Sequence, residues 1–243
     1  MMNLFATVPF NIIFLFKMQT KEVKPKTQML LNEVMVEGNI EIATGVFILT
    51  FKRTFDFIPG QVIGICLSNT DEPRLYSIAS GNKDNHIQIL YNIKPTGKLT
   101  PPLARVREGD VIYISPPFGT YFGSTEPAWW IASGTGIAPF ASMFRSGLGS
   151  DKVMLHGGRF LESFYFKNEF LPVLGKNYIR CCSRESGEDI FSGRLTKYLL
   201  QHPDLPANIK YYLCGSPEMV VDARDILISK GIPFGNIISE IYF

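Results

Sequence analysis

The sequence predicts two lobes of different fold class in series: a small antiparallel β-barrel or sandwich, then a parallel sheet flanked by helices. Three observations carry this expectation. Between about Gln28 and Phe122, short β-rich runs are separated by Gly, Pro, Asn and Asp, the spacing of hairpin-connected strands. From Ala128 onward, apolar strands alternate with helix-length segments, which implies a parallel sheet with crossover helices. A glycine-bearing turn, "SGTGIAP" (133–139), stands at the exit of the first of those strands.

The first lobe begins with "MLLNEVMVEGNIEIATGVFILTFKR" (29–53), which offers several β-rich runs. "GQVIGICLS", "LYSIAS", "HIQILYNI" and "DVIYISPP" follow, each bounded by turn residues. Pro101 and Pro102 ahead of "LARV" read as one helical turn, closed by a tight turn at Gly109-Asp110. In the second lobe, "AWWIAS", "KVMLHGG", "YIRCCSRE", "IKYYLCG" and "IISEIYF" read as strands. Helices fall between them, at "GTGIAPFASMFRSGL", "FYFKNEFLPVL", "GRLTKYLLQH" and "PEMVVDARDILISKG". The change of period at residues 122–128 divides the chain into a leader (1–25), a first lobe (26–123) and a second lobe (124–243).

A formal charge of +2 over 243 residues, with no basic stripe, argues against nucleic acid or an anionic membrane as partner. Cys66, Cys181, Cys182 and Cys214 form no CxxC pair, so zinc and iron–sulfur sites are not expected; free thiols fit a cytoplasmic protein. His86, His156 and His202 make no triad or metal motif and read as surface or turn residues. The apolar "MMNLFATVPFNIIFLF" is short for a membrane span and is broken by Pro9. It reads as an extension or an upstream start ahead of Met18.

Candidate binding residues gather in four places. In "RLYS", strand alternation sets Arg74 and Tyr76 on one face, about 7 Å apart, and Leu75 and Ser77 on the other. At the first strand exit, Gly134 and Gly136 allow a tight turn into a helix whose start suits a phosphate. "HGGR", "CSRE" and "CGSPEM" all follow strands, so they share one sheet edge; Arg159 and Arg184 converge there with Arg194. In "GKLTPPL", Gly97 opens the backbone and Thr100 offers a hydroxyl ahead of the helical turn, as an anion seat or an ordinary cap.

Taken in order, "RLYS", "GKLTPPL", "GTGIAPF", "HGGR", "CSRE", "GRLT", "CGSPEM" and "EIYF" resemble the ferredoxin–NADP reductase family over about Gln28 to Phe243. The resemblance implies an FAD-binding antiparallel β-barrel followed by a Rossmann-like NADP-binding domain. It assigns to FAD Arg74, Leu75, Tyr76, Ser77, the wall Tyr91, Asn92 and Ile93, and the pyrophosphate cradle Gly97, Lys98, Leu99 and Thr100. Thr135 would touch both cofactors. Gly134, Gly136, Arg159, Ser183, Arg184, Arg194, Gly215 and Met219 would hold NADP(H). Glu185 would be acidic where an NAD enzyme prefers an acid, although the Ser-Arg-Glu motif is common among NADP users of the family.

The same resemblance places Cys214 beside the nicotinamide and Ser77 near the reactive flavin nitrogen, with Glu240 and Tyr242 completing the catalytic set. Tyr242 or Phe243 would cover the flavin. The implied activity is electron passage between NADPH and a ferredoxin or flavodoxin through FAD, without metal. Alternatives are an oxygenase reductase component, a free-flavin or ferric reductase, and a flavin module without NADPH turnover. The four-cysteine signature of fused iron–sulfur domains is absent, as are the clustered carboxyl-terminal cysteines of dihydroorotate dehydrogenase electron-transfer subunits.

Overall fold

The structure, a computed structural model, describes residues 29–241. The leader, Tyr242 and Phe243, for which expectations were stated above, lie outside them.

The first lobe is a six-stranded antiparallel sheet. Its strands are β1 (Asn32–Ala43), β2 (Val46–Lys52), β3 (Val62–Cys66), β4 (Arg74–Ser77), β5 (His86–Asn92) and β6 (Val111–Ile114), in the order β4-β3-β6-β1-β2-β5. The sheet curls until its two edges meet: an isolated bridge joins Ile78 to Ile89, and the Ala79 amide donates to the Gln88 carbonyl at 2.8 Å. Curling removes exposed edges and encloses a core. That core holds Val36, Leu49, Phe51, Ile63, Ile65, Ile87 and Ile112. The barrel reading therefore replaces the sandwich. Helix α1 (Thr100–Leu103) forms at the double proline as expected.

The second lobe is a parallel sheet of β7 (Ala128–Ser133), β8 (Lys152–Gly158), β9 (Tyr178–Cys182), β10 (Ile190–Ser192), β11 (Lys210–Gly215) and β12 (Ile237–Ile241), ordered β10-β9-β8-β7-β11-β12. Pleating sends successive side chains of β7 to opposite faces. Trp130 and Ala132 pack with α2 (Ala138–Met143) and α3 (Lys167–Leu174). Trp129 and Ile131 pack with α4 (Leu195–Gln201) and α5 (Pro217–Ser229). The sheet grows one way from β7 through β8 and β9, then the chain returns to lay β11 on the other side of β7. That reversal creates a switch point at the exits of β7 and β11, where open α/β sheets bind ligands.

Two details depart from the sequence expectation. β10 was not expected; it pairs Ile190–Ser192 in parallel with Arg180–Cys182 as an edge strand. Helix α3 starts at Lys167 rather than near Phe164, because Phe166 sits at φ 60°, a left-handed conformation that precludes helix before it.

The lobes share a core. Val46, Ala79, Leu90 and Tyr121 from the first lobe pack into the cluster of Trp130, Phe140, Met143 and Tyr212. Gly60, at φ 101°, has no room for a side chain: a Cβ there would lie 1.9 Å from the Tyr121 carbonyl oxygen. Lys152 enters β8 at 1% exposure, with Nζ donating to the carbonyls of Glu126 (2.7 Å) and Ser150 (3.0 Å), so the buried ammonium ties the inter-lobe connection to the sheet.

Candidate functional site between the lobes

A cleft of about 1660 Å³ runs from the barrel edge to the carboxyl ends of the parallel strands. Its middle lies at the switch point. Gly136 fits there only because it lacks a side chain; a Cβ would stand 2.4 Å from the Cys214 carbonyl oxygen. The exits of β7 and β11 therefore meet backbone to backbone. Gly134, at φ 55°, faces open space instead, so its main chain is bare to the cleft. The turn from Gly134 to Ile137 is 3-10, and α2 begins only at Ala138.

The barrel wall is strand β4. Arg74, Leu75, Tyr76 and Ser77 all line the cleft. The alternation expected of this strand holds: Tyr76 leans on the barrel core that Ile78 enters, whereas Ala79 turns toward the inter-lobe core. Burial pushes the Tyr76 phenol up to about 12, so it is a neutral donor and a flat wall. On β5 and just past its end, Leu90, Asn92 and Lys94 face the cleft. Tyr91 and Ile93, expected as wall residues beside Asn92, are not among its lining. Here the chain alternates: Leu90, Asn92 and Lys94 turn to the cleft, and the residues between them turn the other way. Tyr91 points inward, donates to Asn39 Oδ1 at 2.9 Å, and meets the Tyr76 ring edge-on at 6.3 Å between centroids. It braces the wall from behind.

Below β5, the loop 94–100 closes on itself. Gly97 N–H donates to the Lys94 carbonyl at 2.8 Å, and Lys94 N–H donates to Thr100 Oγ1 at 2.8 Å. The Thr100 hydroxyl therefore braces the loop and does not cap the helix, the ordinary reading the sequence had allowed. The amides of Lys98, Leu99 and Thr100 donate to no backbone partner among the described residues, and all three residues line the cleft.

At the far end, Arg159, Ser183, Arg184 and Arg194 line the cleft together, as the shared sheet edge predicted. Main-chain bonds extend the β8–β9 pairing past its last residues: Ser183 N–H to the Gly158 carbonyl at 3.1 Å, and Arg184 N–H to that of Arg159 at 3.0 Å. This zip aligns the backbones of Arg159 and Arg184 side by side. None of the three arginines forms an ion pair with a carboxylate among the described residues. Glu185 is not in the lining, and its Oε2 accepts the Leu161 amide at 2.6 Å.

Cys214, Gly215 and Met219 line the centre of the cleft. Burial raises the Cys214 thiol far above its ordinary range, with the Glu240 charge as a smaller cause, so the sulfur is a neutral, unreactive surface. Glu240 stands opposite Cys214 in the β11–β12 register. His156 contradicts the surface reading: it is fully buried, Nδ1 lies 2.9 Å from the Tyr178 hydroxyl, and burial holds the imidazole down to about 3. His202 is half-buried, edge-on to Trp129 at 5.3 Å between ring centroids, while His86 sits outside against Glu37.

Sequence reasoning missed Lys94, Thr96, Phe160, Tyr165 and Asp222, all in the lining. Lys94 and Thr96 were signalled by their place in the Gly97 loop. Phe160 and Tyr165 were hidden in an aromatic run that reads equally well as core. The whole cleft is long, stacked with flat walls at the barrel end, lined by amide donors on one side and cationic at the far end. Such a surface suits an aromatic dinucleotide meeting a second, phosphorylated one.

Comparison with known proteins agrees. Residues 33–122 match the oxidoreductase FAD-binding domain family, and residues 130–225 match the oxidoreductase NAD-binding domain family. A probable dihydroorotate dehydrogenase B (NAD+) electron transfer subunit from Pyrococcus abyssi is 34% identical over 82% of this chain and 75% of its own length. A flavodoxin/ferredoxin–NADP reductase from Rhodobacter capsulatus is 29% identical over 78% of this chain and 82% of its own. The reductase component of propane 2-monooxygenase from Mycolicibacterium goodii is 30% identical over 74% of this chain, but the match spans only 57% of that protein. A crystal structure of a ferredoxin NADP+ reductase from Neisseria gonorrhoeae shares the fold with a TM-score of 0.76 at 20% identity, covering 88% of this chain and 99% of that one.

Proposed function

The chain belongs to the ferredoxin–NADP reductase family of two-lobed oxidoreductases, and we propose that it is an NADPH-dependent FAD reductase serving a one-electron protein carrier such as ferredoxin or flavodoxin. One observation supports this above the others. The "RLYS" strand, the Gly134–Gly136 turn and the three arginines line a single cleft.

The residues fit the two groups. The free amides of Lys98, Leu99 and Thr100 suit a pyrophosphate, and bare backbone at Gly134 admits a ligand where a side chain would intrude. Bound FAD would supply hydride acceptance from the nicotinamide and one-electron release to a carrier. Arg74 would pair with the flavin phosphates, and Tyr76 would lie along the ring and ribityl chain. Ser77 would offer its hydroxyl to the reactive ring nitrogen. Asn92 completes the wall, while Gly97 lets the cradle turn.

On the nucleotide side, Thr135 stands where the two cofactors meet. Gly136 and Gly215 keep the two strand exits close, and Cys214 and Met219 give a neutral floor for the nicotinamide. Arg159, Arg184 and Arg194, with Ser183, grip the adenosine phosphate. With Glu185 bonded to another loop, the acid that favours NAD is withheld, which supports NADPH. Glu240 is placed near Cys214 to tune charge at the reacting end.

The likeness to the Pyrococcus subunit and to the monooxygenase component favours a second reading of the acceptor, a partner enzyme instead of a free carrier. No helix among the described residues is long and apolar enough to cross a membrane, and no metal-holding cluster occurs among them. The test is a steady-state assay with NADPH as donor. Reduction of ferredoxin or flavodoxin is expected; transfer only to an oxygenase or dehydrogenase component supports the second reading. NADPH left unoxidised with every acceptor contradicts both.

A further inference from the structure

Arg145 belongs to the second lobe, yet half of its hydrogen bonds go to the first. Its NH1 donates to the Ala79 carbonyl at 2.9 Å and to Gln88 Oε1 at 2.8 Å, both in the barrel. Nε and NH2 grip Glu169 of α3 at 2.8 and 2.6 Å, and the guanidinium lies 4.7 Å from the Phe166 ring centroid. The side chain is 19% exposed, so these bonds form in a poorly solvated place where a bidentate pair is geometrically strict. The main chain joins in. A Cβ on Gly81 would touch the Arg145 carbonyl at 3.0 Å, and Asn82 N–H donates to Ser146 Oγ at 3.0 Å.

The position of this node matters more than its strength. Ala79 and Gln88 form the seam that closes the barrel, two pleat positions beyond Ser77. Arg145 sits in a π-type turn (Phe144–Leu148) that continues α2, and α2 itself grows from the Gly134–Ile137 turn. One short helical strut therefore carries Thr135 at its start and the grip on the barrel seam at its end.

Resting on the function proposed above, we infer that Arg145 is a positioning residue for electron transfer between the cofactors. By locking the Ala79–Gln88 seam to the strut, it fixes the spacing between the Ser77 strand and the Thr135 turn. It touches neither cofactor site: Arg145, Gln88 and Glu169 are all absent from the cleft lining. A displacement on the order of 1 Å there lowers rate far more than affinity.

The test uses Arg145→Met paired with Glu169→Gln, so that the half-buried Glu169 carboxylate is not left unpaired, alongside Gln88→Leu and Arg145→Lys. In rapid-mixing experiments at saturating NADPH, flavin reduction is expected to slow about tenfold to a hundredfold in the double variant. FAD content and the NADPH dissociation constant should stay within about twofold, and Arg145→Lys should recover part of the rate. Hydrogen exchange at the Ala79 amide should quicken in Arg145→Met and Gln88→Leu, a readout that needs no cofactor. Unchanged exchange overturns the clamp. Faster exchange with an unchanged rate shows a purely structural tie and overturns the positioning role. Parent protein that NADPH fails to reduce refutes the proposed function instead, leaving the exchange result to judge the clamp.

Discussion

The Glu185 carboxylate reaches across to the neighbouring loop and accepts the Leu161 amide at 2.6 Å. Arg184, the residue before it, faces the cleft together with Arg159 and Arg194. Adjacent opposite charges are thereby sent to different tasks: the acid holds a loop, and the base meets the ligand. Replacing Arg184 with Glu is expected to raise the KM for NADPH by about tenfold or more, since one charge-assisted phosphate contact is lost and a repulsion gained. NADH, lacking that phosphate, should change by less than about threefold. Equal losses for the two nucleotides, measured in parallel steady-state assays, would remove the basis for NADPH preference.

Gly136 is held by backbone, so substitution there has no flexible neighbour to yield. A Cβ would stand 2.4 Å from the Cys214 oxygen and 2.5 Å from its carbonyl carbon. Gly136→Ala must push the exits of β7 and β11 apart, at a cost of about 2 kcal/mol or more. Gly134→Ala meets open space and only strains a left-handed backbone, for about 1 kcal/mol. Urea unfolding of the two variants should show that order, and a larger loss at Gly134 would contradict the packing described.

His156 predicts an acid-sensitive fold. Its folded pKa lies near 3 because burial disfavours the charged ring, whereas an unfolded histidine titrates near 6.5. Between those values the unfolded chain binds the extra proton, so stability is complete above about pH 6.5 and falls as pH drops. From pH 8 to pH 5 this group alone removes about 2 kcal/mol. His156→Gln, which cannot charge, should flatten the unfolding midpoint over that range relative to the parent. Parallel pH profiles for the two proteins would show that another group is responsible.

Local patterns made much of this molecule legible. The strand character of Arg74 to Ser77, the strand-then-helix rhythm after Ala128, and the shared sheet edge of Arg159 and Arg184 each depend on neighbours a few residues away, and the structure has all three. What failed depended on distant contacts. β10 has three residues and exists because β9 offers an edge. The inward place of Tyr91 is held by its bond to Asn39, far upstream, and the Thr100 hydroxyl accepts the Lys94 amide instead of capping its helix. The burial of His156 needed Tyr178 and Phe164, which the sequence sets on other elements. Arg145 reads as an ordinary helix arginine until Ala79 and Gln88 are seen beside it.

The central claim is that a flavin held against β4 faces a nicotinamide held at the exits of β7 and β11. Anaerobic titration of the purified protein with NADPH tests it most directly. The account predicts close to one FAD per chain and loss of the oxidised flavin absorbance on adding about one equivalent of NADPH, with both effects weakened in Arg74→Ala and in Arg184→Glu respectively. A chain that takes up no FAD, or a bound flavin whose absorbance NADPH leaves unchanged, would contradict it.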